Sequence, residues 1–135
     1  MSFVLDCSVT MAWCFEDERT AATDALLERV IADGAIAPAL WPVEVTNVLL
    51  SAVKRKHVQA DALSAVAQRI AALPIAVDVA SADIVWTNTL QVAQRYSLSS
   101  CDACYLELAQ RKALPLATLD AALRKAASAA GVDLI

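Results

Sequence analysis

Short apolar runs that alternate with stretches of helical period set the tightest limit on how this chain folds. Phe3-Val4-Leu5, Ile36-Ala37-Pro38, Ile75-Ala76-Val77 and Pro115-Leu116-Ala117-Thr118 are too short for helices and read as buried strands. Val132-Asp133-Leu134-Ile135 reads as a fifth, edge strand. Strands separated by helices build a parallel sheet, because a parallel neighbour is reached through a crossover connection. The expected fold class is therefore α/β, a five-stranded parallel sheet with helices on both faces.

The helices between the strands have recognisable ends. A short one follows Asp6, with Ser8 as a candidate cap. The next runs from Arg19 to about Ala32, with Leu26/Val30 and Leu27/Ile31 at i,i+4 and Gly34 as its C-terminal glycine. Pro42 opens the clearest helix, in which Val45, Val48, Leu49, Ala52 and Val53 form one buried stripe. Further helices are expected over 60–72, 81–96, 99–111 and from Asp120 to about Ala130. In the helix from Ser99, Cys101, Cys104, Tyr105 and Leu108 read as the apolar stripe. No repeat, linker or low-complexity segment interrupts this order, so residues 1–135 are expected to form one domain.

Composition narrows the function. Apolar residues make up 59% of the 135, and only 2 Gly and 4 Pro break them up, as in a compact helix-rich globule. No apolar run approaches the roughly 20 residues of a membrane span. Met1-Ser2-Phe3-Val4-Leu5-Asp6 lacks the basic region of a signal peptide, so a cytoplasmic location is expected. The 4 Cys are then expected to be reduced thiols used as small apolar residues. Cys101 and Cys104 make one C-x-x-C, but with no second pair and a single His57 a structural zinc site is not expected. The net charge of -4, from 11 basic and 15 acidic residues, argues against a protein that grips nucleic acid with a broad basic surface. It leaves room for a nuclease whose acids hold cations.

In open parallel sheets the ligand crevice lies beyond the carboxyl ends of the strands, where strand order reverses. Asp6 follows the first strand and Asp120 the fourth. Glu44 lies in the first turn of the helix after the second strand, and Asp102 in the first turn of the helix before the fourth. Carboxylates this close raise one another's pKa, and a divalent cation removes that cost. Oxygen-only ligands favour Mg²⁺ or Mn²⁺, which activate water and stabilise charge on a phosphoryl group. Neither a Ser-His-Asp set nor a phosphate-binding G-x-x-x-x-G-K-[ST] loop is available. Each acid has a structural reading too. Ser99 with Asp102 matches a capping box, Asp120 and Asp6 match helix caps, and Glu44 suits a helix dipole.

Four segments carry a family resemblance. They are Val4-Leu5-Asp6-Cys7-Ser8, Pro42-Val43-Glu44-Val45-Thr46-Asn47-Val48-Leu49, the stretch from Leu98 to Ala109, and Leu114-Pro115-Leu116-Ala117-Thr118-Leu119-Asp120. In this order and at these separations the sequence resembles PIN-domain ribonucleases, and among them the VapC-type toxins of bacterial toxin–antitoxin pairs. The resemblance implies a three-layer fold in which the first and fourth strands are adjacent. It implies metal-binding, catalytic acids at Asp6, Glu44, Asp102 and Asp120. Ser8 and Thr118 would lend polar support, and Asn47 would stand behind the ligands. It implies Mg²⁺- or Mn²⁺-dependent endonucleolytic cleavage of RNA, a homodimer, and inhibition by a small antitoxin protein whose tail covers the groove, with Trp13 through Leu27 as the candidate contact. Cys101 stands where relatives often carry Tyr, and Cys7 where another small residue is usual. The competing readings are a PIN-like binding module without catalysis and a different metal-dependent phosphoesterase. Complete retention of the four acids favours catalysis, and Cys7-Ser8 after Asp6 lacks the second Asp that a phosphatase of this shape needs.

Smaller features have two readings each. Lys54-Arg55-Lys56-His57 suits a solvated helix end or an RNA phosphate contact. Arg124 and Lys125, about one turn after Asp120, are also candidates to face phosphate. Trp13, Trp41 and Trp86 read as core or interface residues rather than base-stacking platforms.

Overall fold

The computed structural model describes residues 2–135; Met1, at the head of the stretch read as lacking a leader, lies outside them. The elements follow in the order β1 (Val4–Leu5), α1 (Cys7–Cys14), a 3₁₀ turn at Glu16–Glu18, α2 (Ala21–Asp33), β2 (Ala35–Pro38), α3 (Trp41–Lys54), a 3₁₀ turn at Ala60–Ala62, α4 (Leu63–Ala71) and β3 (Ile75–Asp78). The chain continues through α5 (Ala82–Ile84), a π-helical stretch Val85–Thr89, α6 (Leu90–Tyr96), α7 (Ser100–Lys112), β4 (Leu116–Ala117) and α8 (Ala121–Ala129).

All strand pairs are parallel, in the order β3-β2-β1-β4. The chain builds outward from β1 to β3, then returns to lay β4 on the other side of β1. The reversal of strand order therefore falls between β1 and β4, with Val4 opposite Leu116 and Leu5 opposite Ala117. Val4 and Leu5 are fully buried, as expected for a central strand covered on both faces. One continuous core joins them to Phe3, Val9, Val30, Leu49, Tyr105, Leu106 and Leu108. Helix α1 packs on α2 and α3, and α3 on α4, while α7 packs on β1, β2 and β4 and carries α6 and α8.

Local chemistry explains most boundaries. Thr20 caps α2 by accepting from the Thr23 N–H, so this helix begins after Arg19, which pairs with Asp24 instead. Gly34 ends α2 at φ +77°, and a Cβ there would stand 3.2 Å from the Pro74 carbonyl oxygen. It is a turn only glycine makes without strain, and the strand approach requires it.

Several expectations are corrected. The fifth strand reduces to a single bridge, Leu116 to Leu134, so the sheet has four strands. Leu116 uses both its amide and its carbonyl on that edge, toward Asp133 and Ile135. The next carbonyl on the same edge, at Thr118, is taken by Arg124 Nη1, which stops the ladder. Ser8 does not cap α1, because its hydroxyl is held by Asp6. The helix expected over 81–96 contains the π-helical stretch, where Thr87 Oγ1 donates back to the Asp83 carbonyl. The buried face of α7 comprises Ala103, Tyr105, Leu106, Glu107, Leu108 and Ala109. Cys101 is exposed and Cys104 half-buried, so only Cys7 of the four cysteines serves as a buried apolar residue.

Candidate functional site

The pairing of β1 with β4 positions the most ordered part of the site. Asp6 follows β1 and donates its backbone N–H to the Ala117 carbonyl, which brings it beside Thr118. Its carboxylate is buried, and two hydroxyls donate to the same oxygen, Oδ2: Ser8 Oγ at 2.6 Å and Thr118 Oγ1 at 2.7 Å. Those hydroxyls are themselves fixed, since Ser8 Oγ accepts from the Leu119 N–H and Thr118 Oγ1 from the Asp120 N–H. Two charge-assisted bonds on one oxygen set the plane of the carboxylate and leave Oδ1 outside that pair.

Glu44 projects from the first turn of α3, and its Oε1 accepts from the buried Tyr105 hydroxyl at 2.5 Å. Burial raises its pKa; the Tyr105 bond lowers it, and the charges of Asp6 and Asp102 raise it again. Asp102 lies in the first turn of α7, whose N-cap Ser99 accepts from the Asp102 N–H. Burial, then Asp120 and Asp6, raise its pKa. Asp120 caps α8 through Oδ2, which accepts from the Leu123 N–H at 2.8 Å. The four acids are thus linked by repulsion, and the capping roles of Ser99 and Asp120 coexist with that arrangement.

Among the described residues none of the four acids is ion-paired: Arg19 bridges Asp24 instead, His57 bridges Asp17, and Arg111 bridges Asp78 and Glu107. Hard oxygen donors carrying uncompensated negative charge suit Mg²⁺ or Mn²⁺. No three Asp, Glu, His or Cys side chains among the described residues stand together as a ready ligand set. Mutual repulsion keeps carboxylates apart, and a hard cation is the partner that lets them approach. Donor chemistry therefore fits such an ion, with side-chain rotation needed to gather the ligands.

The neighbouring residues fall in different places. Cys7 is buried against the site, and desolvation, with Glu44 and Asp6 nearby, pushes its thiol pKa up to about 12. It therefore stays neutral beside the acids. Asn47 is exposed one turn after Glu44, and no hydrogen bond among the described residues joins it to the four acids. Arg124 is tied at Nη1 to the Thr118 carbonyl at 2.9 Å, which holds a cation at the rim. Lys54, Arg55 and Lys56 are exposed at the end of α3, and His57 pairs with Asp17 at 3.2 Å. Trp41 is buried and donates to Thr10, Trp13 donates to the Thr23 carbonyl, and Trp86 is exposed.

Two relationships were missed at the level of sequence. The helical period places Tyr105 on the apolar stripe, but a buried phenol needs a polar partner. Glu107 is buried in the middle of α7 and is held by Arg111 Nε at 2.6 Å, while Arg111 Nη2 reaches Asp78 at 2.7 Å. An acid flanked by Leu106 and Leu108, with Arg four residues on, was its available signal.

A family model for the PIN domain matches residues 3–129. No curated protein matches the chain. Among solved structures, PAE2754 from Pyrobaculum aerophilum is similar with a TM-score of 0.72 and 21% identity, over 93% of this chain and 87% of that one. FitAcB from Neisseria gonorrhoeae is similar with a TM-score of 0.69 and 14% identity, over 100% of this chain and 96% of that one. At these identities the likeness is one of fold.

Proposed function

The chain belongs to the PIN-domain family, and from that premise we propose that it is a divalent-metal-dependent endoribonuclease, the VapC-type toxin of a toxin–antitoxin pair. PIN domains are generally nucleases that use divalent metals. The observation that carries the reading here is the set Asp6, Glu44, Asp102 and Asp120: four acids under mutual repulsion, none neutralised by a cationic side chain among the described residues.

These four residues would hold Mg²⁺ or Mn²⁺. The ion, when bound, supplies an activated water and offsets charge on the phosphoryl group. The protein's own part is orientation. Ser8 and Thr118 fix Asp6, Tyr105 fixes Glu44, and Ser99 and the Leu123 amide fix the turns that carry Asp102 and Asp120. Arg124 at the rim would meet an RNA phosphate, since its guanidinium has donors beyond the one bound to Thr118.

Residues 1–135 form one catalytic domain in this reading. Exposed Val79, just after β3, and exposed Trp86 and Leu90, in the helical segments that follow, support a homodimer. A cavity of about 260 Å³ lined by Trp13, Cys14, Leu27, Val66, Arg69 and Leu73 supports docking of an antitoxin tail. No helix among the described residues is long and apolar enough to cross a membrane.

The test is cleavage of RNA with Mg²⁺ or Mn²⁺ by wild type and Asp6→Asn. Cleavage by the wild type and loss in the variant support the assignment; equal rates refute it. A companion measurement is the rise in Tm on adding Mn²⁺, which linkage predicts for the wild type and not for the variant.

A further inference from the structure

We infer that Cys101 and Cys104 are a redox-active thiol pair, which a small-molecule disulfide converts into an intramolecular disulfide across the first turn of α7. Both thiols are free; Cys101 is exposed, and Cys104 is half-buried and lines a cavity of about 180 Å³. They sit at i and i+3 near the start of a helix that begins at Ser100.

Such a pair lies on one helix face with its Cβ atoms about 5–6 Å apart. A disulfide needs about 3.5–4.5 Å between Cβ atoms and accepts Cα separations of about 4.4–6.8 Å. The backbone spacing of a helical turn is thus already suitable, and only the side chains must approach. Tightening the turn toward 3₁₀ geometry does this, because i and i+3 side chains then eclipse. The N-terminal turn is held on its outer side by the Ser99 cap alone, through the Asp102 and Ala103 amides, so fewer backbone bonds resist its tightening than in mid-helix. Cytosolic disulfides, where they occur, are mostly transient and sensing.

The exchange balances without further reagents. The exposed Cys101 sulfur attacks the small disulfide, one S–S bond is exchanged for another, and a thiol leaves carrying the Cys101 proton. Cys104 then attacks the Cys101 sulfur and expels the second thiol with its own proton. The protein loses two protons and two electrons, and the small disulfide gains both.

Asp102 lies between the two cysteines, with its N–H on the Ser99 cap. Tightening that turn moves Asp102 relative to Asp6 and Glu44. If the four acids are the cation site proposed above, on which this second step rests, the oxidised form binds divalent metal more weakly.

The experiment equilibrates the full chain in glutathione buffers of graded ratio, alkylates free thiols and maps peptides by mass. The expected result is a 101–104 cross-link lacking two hydrogens, reversed by dithiothreitol, with Cys104→Ser arrested at a glutathione adduct on Cys101. Alkylation of both cysteines at the oxidising end, or a cross-link elsewhere, overturns the pair. The Mn²⁺-induced rise in Tm is then read in both forms. Its loss on oxidation of the wild type, and not of a Cys101→Ser/Cys104→Ser double variant, supports the coupling to Asp102. An unchanged rise overturns that coupling. If the reduced wild type shows no Mn²⁺ response, the metal reading fails and takes the coupling with it, while the peptide map alone decides the thiol pair.

Discussion

The hydroxyl of Tyr105 on α7 donates to Oε1 of Glu44 on α3 at 2.5 Å, across 61 positions of sequence. Helix α3 has its own buried stripe, which fixes the face it presents but not where a long glutamate side chain points. The tyrosine settles that. Burial, then the bond to Glu44, drives the phenol's pKa far above its ordinary range, so it remains a donor at any accessible pH.

Tyr105→Phe keeps the ring and removes the bond. A hydrogen bond to a charged acceptor contributes about 1.5–3 kcal/mol, and the half-buried position of Glu44 favours the lower end. Urea denaturation is expected to show a loss of about 1.5 kcal/mol, and the Glu44 pKa should rise further, because the bond is what lowers it. Titration of Glu44 by NMR separates this from a packing effect, which would leave the pKa in place.

Thr118→Val removes one of the two donors on Asp6 Oδ2 while keeping the shape. Loss of a residue that orients a metal ligand typically costs about 10- to 100-fold in affinity. Titration with Mn²⁺ is expected to show a loss in that range, alongside a stability loss of about 1–3 kcal/mol from the bonds removed at Asp6 and at the Asp120 amide. Unaltered affinity would mean that Asp6 needs only Ser8.

The raised pKa values of Glu44 and Asp102 give stability a definite pH dependence. In the folded protein these carboxyls bind protons more tightly than in the unfolded chain. Stability without divalent metal therefore falls as pH rises from the ordinary carboxylate range through the raised folded values. Scans of Tm against pH in chelator should show this slope, and Asp102→Asn should flatten it. With Mn²⁺ the trend reverses, because the ion binds the deprotonated acids.

Arg111→Ala strands two acids at once. Glu107 is nearly fully buried, and Asp78 loses its partner as well. Removing one member of a buried ion pair costs about 3–5 kcal/mol. A melting transition within a few degrees of wild type would show that the triad contributes little to stability.

What could be read from the sequence divides along physical lines. The strands ending at Asp6 and near Asp120, and the helix starts at Pro42 and Ser99, were legible because periodicity and capping chemistry are local. The adjacency of β1 and β4 came from family resemblance, since nothing local tells a strand its neighbour. Tyr105–Glu44 and Glu107–Arg111–Asp78 were not legible, because each depends on two surfaces meeting. Residue type makes Ser8 a candidate cap, but the stronger, charged acceptor beside it takes its hydroxyl. The apolar pattern of residues 132–135 predicts a strand but says nothing about whether the β4 edge has groups left to bond.

The bond from Thr118 to Asp6 spans 112 residues. At a synthesis rate of about 5–20 residues per second, Asp6 precedes its partner by roughly 10 s on the ribosome. Throughout that interval Asp6 lacks one of the two hydroxyls that fix its carboxylate. The surroundings of Asp6 are therefore completed only when a late-made strand docks beside the earliest one.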